Sequence, residues 1–309
     1  MDWRVISLHR IRDLDLAAPS AAGRPAFLSA ASGLVCIHDF IYVVADDELD
    51  LGVFRAQTSE PGLLMPIFAG TLPLDAAERK KQKPDFEALV HLPAFGNHTH
   101  GALLALGSGS KRTRRMGALV ALDSTGAVHG SPHIVDLSPI LSPLNEQFVA
   151  LNIEGAIIVG DEFLLLQRGN RNDAVNAIIR FSLNDIFGIL RKGTHAALVP
   201  HSTTAIDLGD VGGVPLSFTD AAALPDGGMV FSAVAEDTDN SYDDGPCVGA
   251  AVGIIDSKGK LQSVQRLHYP YKIEGIAARV DSDAIHLLLV TDADDPETKA
   301  SLFSATIRQ

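Results

Sequence analysis

The chain has 309 residues, 46% of them hydrophobic, and a formal charge of −13 at pH 7. That hydrophobic content supports a large core and excludes wholesale disorder, while the acid excess argues against a nucleic-acid or anionic-membrane surface, which needs a basic patch. No run approaches the ~18 apolar residues of a membrane helix, two cysteines (Cys36 and Cys247) make no disulfide framework, and the opening Met1-Asp2-Trp3-Arg4-Val5 shows no signal-peptide pattern, so a cytoplasmic location is the expectation.

In chain order, five units of strand-like runs follow one another. The first predicts strands over 32–38, 40–45, 51–55 and 63–68; the second over 86–92, 102–106, 117–122 and 128–137. The third predicts 153–159, 162–167, 176–182 and an interrupted run over 196–208; the fourth 218–224, 229–234, 248–256 and 261–268. The fifth predicts 273–280, 285–291 and 302–307, and lacks a fourth strand. Turn residues such as Gly160-Asp161, Pro225-Asp226-Gly227-Gly228 and Ser257-Lys258-Gly259-Lys260 separate the runs. Short helices are expected over Asp75–Lys83 and Asn184–Leu190, the latter with Asn184 as its cap. Residues 138–147, with Pro139 and Pro143, read as loop.

Each unit opens on a short word: Phe86-Glu87-Ala88-Leu89, Ile153-Glu154-Gly155-Ala156, Thr219-Asp220-Ala221-Ala222 and Ile273-Glu274-Gly275-Ile276, with Ala31-Ser32-Gly33-Leu34 as a weaker copy. Aligning them places Ser32, Glu87, Glu154, Asp220 and Glu274 at one position, 55, 67, 66 and 54 residues apart. Repeats of this length, each of several strands, indicate a radial or stacked array. The expectation is an all-β fold: a single domain over 1–309, a five-bladed β-propeller of four-stranded antiparallel blades. The run Trp3–His9, which is similar to Leu261–His268, closes the last blade. A six-bladed ring with a further blade in 123–150 or 184–215 is the alternative.

In a propeller the first strand of each blade lines the channel, so the repeated acids gather at one mouth. The loops between second and third strands belong to the same face, and they carry Asp46, Lys111, Arg168, Arg171, Asp237 and Asp292. Carboxylates around a narrow channel repel. They hold protons, pair with basic groups such as Lys83, Arg168, Arg171 or Lys272, or share a cation. A hard divalent cation, Ca²⁺ ahead of Mg²⁺, suits oxygen ligands. A repeated acid that simply accepts backbone N–H groups of the next blade is the structural alternative. His98 and His100, at i, i+2 spacing, lie in a connection on the opposite face with no third ligand evident. Gly107-Ser108-Gly109-Ser110-Lys111 lacks the spacing of a phosphate-binding loop.

The words Asn-Ile-Glu-Gly, Phe-Thr-Asp-Ala and Lys-Ile-Glu-Gly resemble the Glu-Gly signature of bacterial phytase-like (esterase-like) β-propeller proteins. More distantly, the chain is similar to gluconolactonase-type propellers, which hold a divalent metal on channel carboxylates. The resemblance implies a propeller with a central acidic site. The expected function is a metal-dependent hydrolase of a small anionic ester, lactone or phosphoester. Glu87, Glu154, Asp220 and Glu274 are the metal ligands, with Glu154 and Glu274 the catalytic pair. Ser32, Asp46, Lys111, Arg168, Arg171, Asp237 and Asp292 face the substrate. The alternative is a non-catalytic propeller that binds a ligand or a protein partner across the same mouth.

Overall fold

Each of the five units forms one antiparallel sheet in a computed structural model of the chain, which describes residues 5–170, 175–193, 196–238 and 245–308. The strands of a blade are lettered A to D from the channel outward. Blade 1 holds Ala31–Ile37, Phe40–Ala45, Asp50–Arg55 and Leu63–Pro66. Blade 2 holds Phe86–Leu92, Ala102–Gly107, Met116–Leu122 and Val128–Asp136. Blade 3 holds Ile153–Val159, Glu162–Gln167, Ala177–Ser182 and Ser202–Ala205. Blade 4 holds Ser217–Ala223, Met229–Glu236, Cys247–Ile255 and Leu261–Leu267. Blade 5 holds Ile273–Val280, Ala284–Thr291, Ser301–Arg308 and, from the N-terminal end, His9–Asp13.

The molecule is therefore an all-β, five-bladed β-propeller. The stretches that a sixth blade would need hold other structure. One contains the D strand of blade 2 and helix α2, Ser138–Leu144. The other contains helix α3, Leu183–Lys192, a four-residue D strand and a two-residue hairpin.

Ring closure differs in detail from the sequence expectation. His9–Asp13 pairs antiparallel with Ser301–Arg308 and completes blade 5. Val5–Ile6, inside the run predicted to do this, instead lies parallel to the D strand of blade 4, beside the segment it is similar to. One chain end thus stitches two blades, and Leu14, directly after the closing strand, is wholly buried between blades 5 and 1. Removing apolar surface from water is the main drive for this arrangement. The core is five layers, one between each pair of neighbouring blades. Between blades 1 and 2, for example, Tyr42, Val44 and Leu51 pack on Phe86, Leu89 and Leu103. Strands with a neighbouring sheet on both faces explain runs such as Leu164-Leu165-Leu166, apolar without alternation.

Helix α1, Ala76–Gln82, starts where expected, with the Asp75 carboxylate accepting from Glu78 N at 2.9 Å. α3 is longer than its expected span, and the residue flanking its start is Ser182, not Asn184. The segment read as loop forms α2. Pro139 falls in the first turn, where a missing N–H costs nothing. Pro143 gives up a bond to the Pro139 carbonyl, and Leu198 N donates to that carbonyl instead at 2.8 Å. Ile140, Leu141 and Leu144 are buried between blades 2 and 3, and that burial holds the helix in place.

Candidate active site

Every A strand carries a β-bulge at the same place. The ladder to strand B skips one residue after Ala31, Phe86, Ile153, Phe218 and Ile273. The unpaired residues are Ser32, Glu87, Glu154, Thr219 and Glu274. A bulge bends the strand and re-aims the extra side chain, and Ser32, Glu87, Glu154 and Glu274 all line the cleft at the channel mouth.

Blade 4 is thus shifted by one residue from the sequence alignment: Thr219, not Asp220, is the equivalent of the three glutamates. Asp220 stands where the other blades have Gly33, Ala88, Gly155 and Gly275. That position faces the neighbouring A strand at close range. A Cβ on Gly33 would come 2.8 Å from Leu89 N, and one on Gly275 would come 3.1 Å from Leu34 N. Asp220 uses the same proximity to accept a hydrogen bond from Ile276 N at 3.0 Å, tying blade 4 to blade 5. It does not line the cleft. Thr219 is buried, its hydroxyl bonded to Ser232 Oγ at 2.8 Å.

A second polar tier stands two residues upstream of the bulges, and Asp85, Asn152, Ser217 and Lys272 line the cleft from it. A third follows strand B. In four blades the residue at the end of that strand or just beyond it, Asp46, Ser108, Arg168 or Asp292, donates its backbone N–H to a second-tier carbonyl. The cleft spans about 910 Å³ including its open mouth, and among the described lining residues only Gly169 and Pro215 lack a polar side chain. Among the described lining residues eight are acidic and five basic.

The charges form two knots. In one, Arg168 reaches Glu236 at 2.5 Å, Glu154 at 3.2 Å and Glu274 at 3.6 Å, joining three blades. Lys272 reaches Asp294 at 2.5 Å, Glu236 at 3.2 Å and Glu274 at 3.6 Å. Asn152 Nδ2 donates to Glu154 at 2.5 Å. In the other knot, Lys83 pairs with Asp46 and, at 3.1 Å, with Asp85, while Arg114 reaches Asp85 at 2.7 Å and Ser108 Oγ donates to Asp85 at 2.6 Å. Glu87 lies between the knots, partly open, with no ion pair or hydrogen bond to its carboxylate among the described residues.

Burial sets the protonation of this ring. It pushes Glu87 well above the usual carboxylate range, with Glu154, Asp85 and Asp46 adding repulsion that outweighs Lys83. Burial also raises Glu154, but Arg168 and Lys272 pull back, leaving it at about 7. Asp292 is pushed up to about 8 by burial against the pull of Lys272. Glu274 is raised for the same first reason, again against Lys272 and Arg168.

These shifts fix a sign for stability. In the folded chain the groups keep protons that the unfolded chain releases near pH ~4. From there to about pH 8 the folded state binds more protons, so stability falls as pH rises. A lower melting temperature at pH 8 than at pH 5 is expected. A flat or rising profile would show that the ring is ionised throughout.

The sequence-predicted residues sort as follows. Ser32, Asp46, Glu87, Glu154, Arg168, Glu274 and Asp292 come together in the cleft. Lys111 flanks the 3₁₀ turn Arg112–Arg114 outside the lining, and Arg114 enters in its place. Asp237 is exposed and outside the lining. Arg171 lies outside the described residues. Asp85 and Glu236 were not singled out by sequence. The signal for Asp85 is its i, i+2 relation to Glu87, shared by Lys272 with Glu274 and Asn152 with Glu154. Among the described residues, the one group of three ligating side chains with mutually close oxygens, within 4.8 Å, is Asp46, Asp85 and Glu87; His98 and His100 are not part of it.

Fold and site together define a β-propeller with a charged, acidic mouth cleft. By its sequence the chain belongs to the family of unknown function DUF6929, whose pattern matches residues 27–307. No curated protein matches the sequence. Among solved structures, glutaminyl cyclase from Myxococcus xanthus is similar over 99% of this chain and 100% of its own, at 10% identity and TM-score 0.50. The gluconolactonase XC5397 from Xanthomonas campestris is similar over 99% of this chain and 98% of its own, at 9% identity and TM-score 0.37. The tail fiber of Staphylococcus aureus phage P68 is similar over 97% of this chain but only 53% of its own, at 8% identity and TM-score 0.45. At such identities the likeness is one of fold.

Proposed function

We propose that the mouth cleft is the active site of a hydrolase acting on a small polar ester, lactone or phosphoester. The observation that supports this is the unequal pair Glu87 and Glu154, which rise from equivalent bulges on neighbouring A strands into one cleft. Glu154 has a guanidinium and an amide to stabilise its charge; Glu87 has neither. Two carboxyl groups whose surroundings push their pKa values apart divide into an acid and a base. Glu87 holds a proton and delivers it to the leaving oxygen. Glu154, oriented by Asn152 and Arg168, takes the proton from an attacking water. Since among the described lining residues five are basic and eight acidic, a substrate of low charge enters more easily than a strongly anionic one. The test is turnover of ester, lactone and phosphoester panels by the wild type, Glu87→Gln and Glu154→Gln. Turnover lost in both variants with folding retained supports the reading. A wild type inert on every panel leaves the mouth as a binding surface.

A second reading has its own observation. Asp46, Asp85 and Glu87 offer three hard oxygens close enough to share one cation, a donor set that suits Ca²⁺ or Mg²⁺. Lys83 lies against two of the three, so a divalent ion would have to displace its ammonium group. A bound ion would polarise the substrate and acidify a water. Elemental analysis after dialysis against CaCl₂ or MgCl₂ is expected to find about one ion per chain by this reading, more tightly held in Lys83→Met. Equal absence from both proteins removes the metal.

A further inference from the structure

Glu274 is a buried carboxylate of the cleft, 4% exposed, and among the described residues neither of its oxygens has a hydrogen-bond donor. Glu236 Oε1 likewise has no hydrogen bond among the described residues, although the Lys272 ammonium stands 3.2 Å from it. Buried polar atoms are nearly always paired, and a carboxylate with neither oxygen paired calls for an explanation. Positive charge is not what is missing. Arg168 and Lys272 both stand 3.6 Å from Glu274 Oε1. Arg168, however, donates to Glu236 Oε2, and Lys272 donates to Asp294. The two cations stand beside Glu274 without supplying hydrogen bonds to it. Positive charge stands close to Glu274, and what it lacks is a donor.

A ligand that answers this brings donors rather than charge. An ammonium or guanidinium group would meet Arg168 and Lys272 head-on. A hydroxyl meets no such repulsion, since it is neutral and donates one hydrogen. Two adjacent hydroxyls reach both oxygens of one carboxylate together, and a third acceptor, Glu236 Oε1, lies alongside. Such a match is the pattern by which a polar site selects a hydroxylated ligand, because the analogue without it leaves the site's own groups unpaired.

Resting on the reading of the mouth as a substrate site, we infer that Glu274 binds a neutral vicinal diol of the substrate, with Arg168 and Lys272 beside it excluding a cationic group. Glu274 is then a recognition residue, and the proton-transfer pair lies across the ring, with Glu154 and Glu87 each two blades away. Loss of a donor-matched carboxylate raises KM more than it lowers kcat.

The probes are cis-cyclohexane-1,2-diol, cyclohexanol and guanidinium ion, observed by saturation-transfer NMR on the full chain. The diol is expected to bind the wild type, with cyclohexanol weaker by about tenfold or more. In Glu274→Gln the diol signal is lost. In Glu274→Asp, which keeps the charge but shortens the reach, it is weakened. Thermal melts establish that each variant is folded. Equal binding of diol and cyclohexanol, preference for guanidinium, or full diol binding by folded Glu274→Gln each overturns the inference. The two readings fail separately: diol binding without turnover removes the hydrolase, whereas turnover without diol binding removes only this subsite.

Discussion

Arg168→Leu is expected to lower the unfolding free energy by about 3–5 kcal/mol at pH 8, the usual scale for breaking a buried charge network on one side. Arg168 joins Glu154, Glu236 and Glu274 from three blades. Without it, three buried carboxylates keep, among the described residues, only Lys272 and Asn152 as near partners. The loss is bounded because the carboxylates can take up protons. Burial already raises Glu154 and Glu274, and Arg168 is among the groups that pull them down. Removing it raises both further. The folded variant then binds still more protons than the unfolded chain, so its stability falls more steeply with pH than that of the wild type. The deficit relative to wild type should therefore be largest at pH 8 and shrink toward pH 5. Urea unfolding at both values measures it. Arg168→Lys should fall between, since one ammonium cannot span three carboxylates as a planar guanidinium does. A loss under about 1 kcal/mol at pH 8, the range of an exposed pair, would show that the knot is not buried in solution.

Glu154→Gln is expected to lower kcat by about 10²–10⁴-fold, the range for a positioned general base. Glu87→Gln should do the same through the other proton. The two variants differ in their pH profiles. In the wild type, kcat/KM should rise with pH as Glu154 loses its proton near about 7, then fall as Glu87 loses the proton it must donate. Glu154→Gln should lack the rising limb and Glu87→Gln the falling one. Since the groups interact, each limb belongs to the pair and shifts when its partner is replaced. Melting temperatures should stay close to wild type at neutral pH, because glutamine keeps the shape of a carboxyl group that already holds its proton, wholly at Glu87 and in part at Glu154. Activity within a few-fold of wild type in either variant would remove the acid–base pair. So would loss of activity explained by unfolding.

Much of this was legible in the sequence, and for identifiable reasons. Blade count and strand positions followed from apolar runs punctuated by turn residues; Phe86–Leu92, Ile153–Val159 and Ile273–Val280 have the bounds read from sequence alone. The ring of acids followed from the repeated words, because a shared place in a repeat becomes a shared place in space. The misreading of blade 4 came from matching acid to acid. The equivalent position is set by where the ladder slips, and Thr219 at that bulge gives no chemical hint of it. The better guide is the small residue after the bulge. Gly33, Ala88, Gly155 and Gly275 mark close approach of neighbouring A strands, and Asp220 stands in their row.

Composition and periodicity by themselves determined an acidic, all-β array of five blades with its polar loops on one face. These are properties of single segments and their spacing, which local sequence carries. Only the tertiary structure decided which charges meet. Arg168 could have been a solvated loop residue, and Glu236 had no distinguishing context; closing the ring buried both in one knot with Glu154 and Glu274. Closure likewise chose His9–Asp13 over the neighbouring segment as the last strand. The physical reason is the same in each case. Desolvation and pairing depend on distances between blades, and those distances exist only after residues far apart in the chain have packed together.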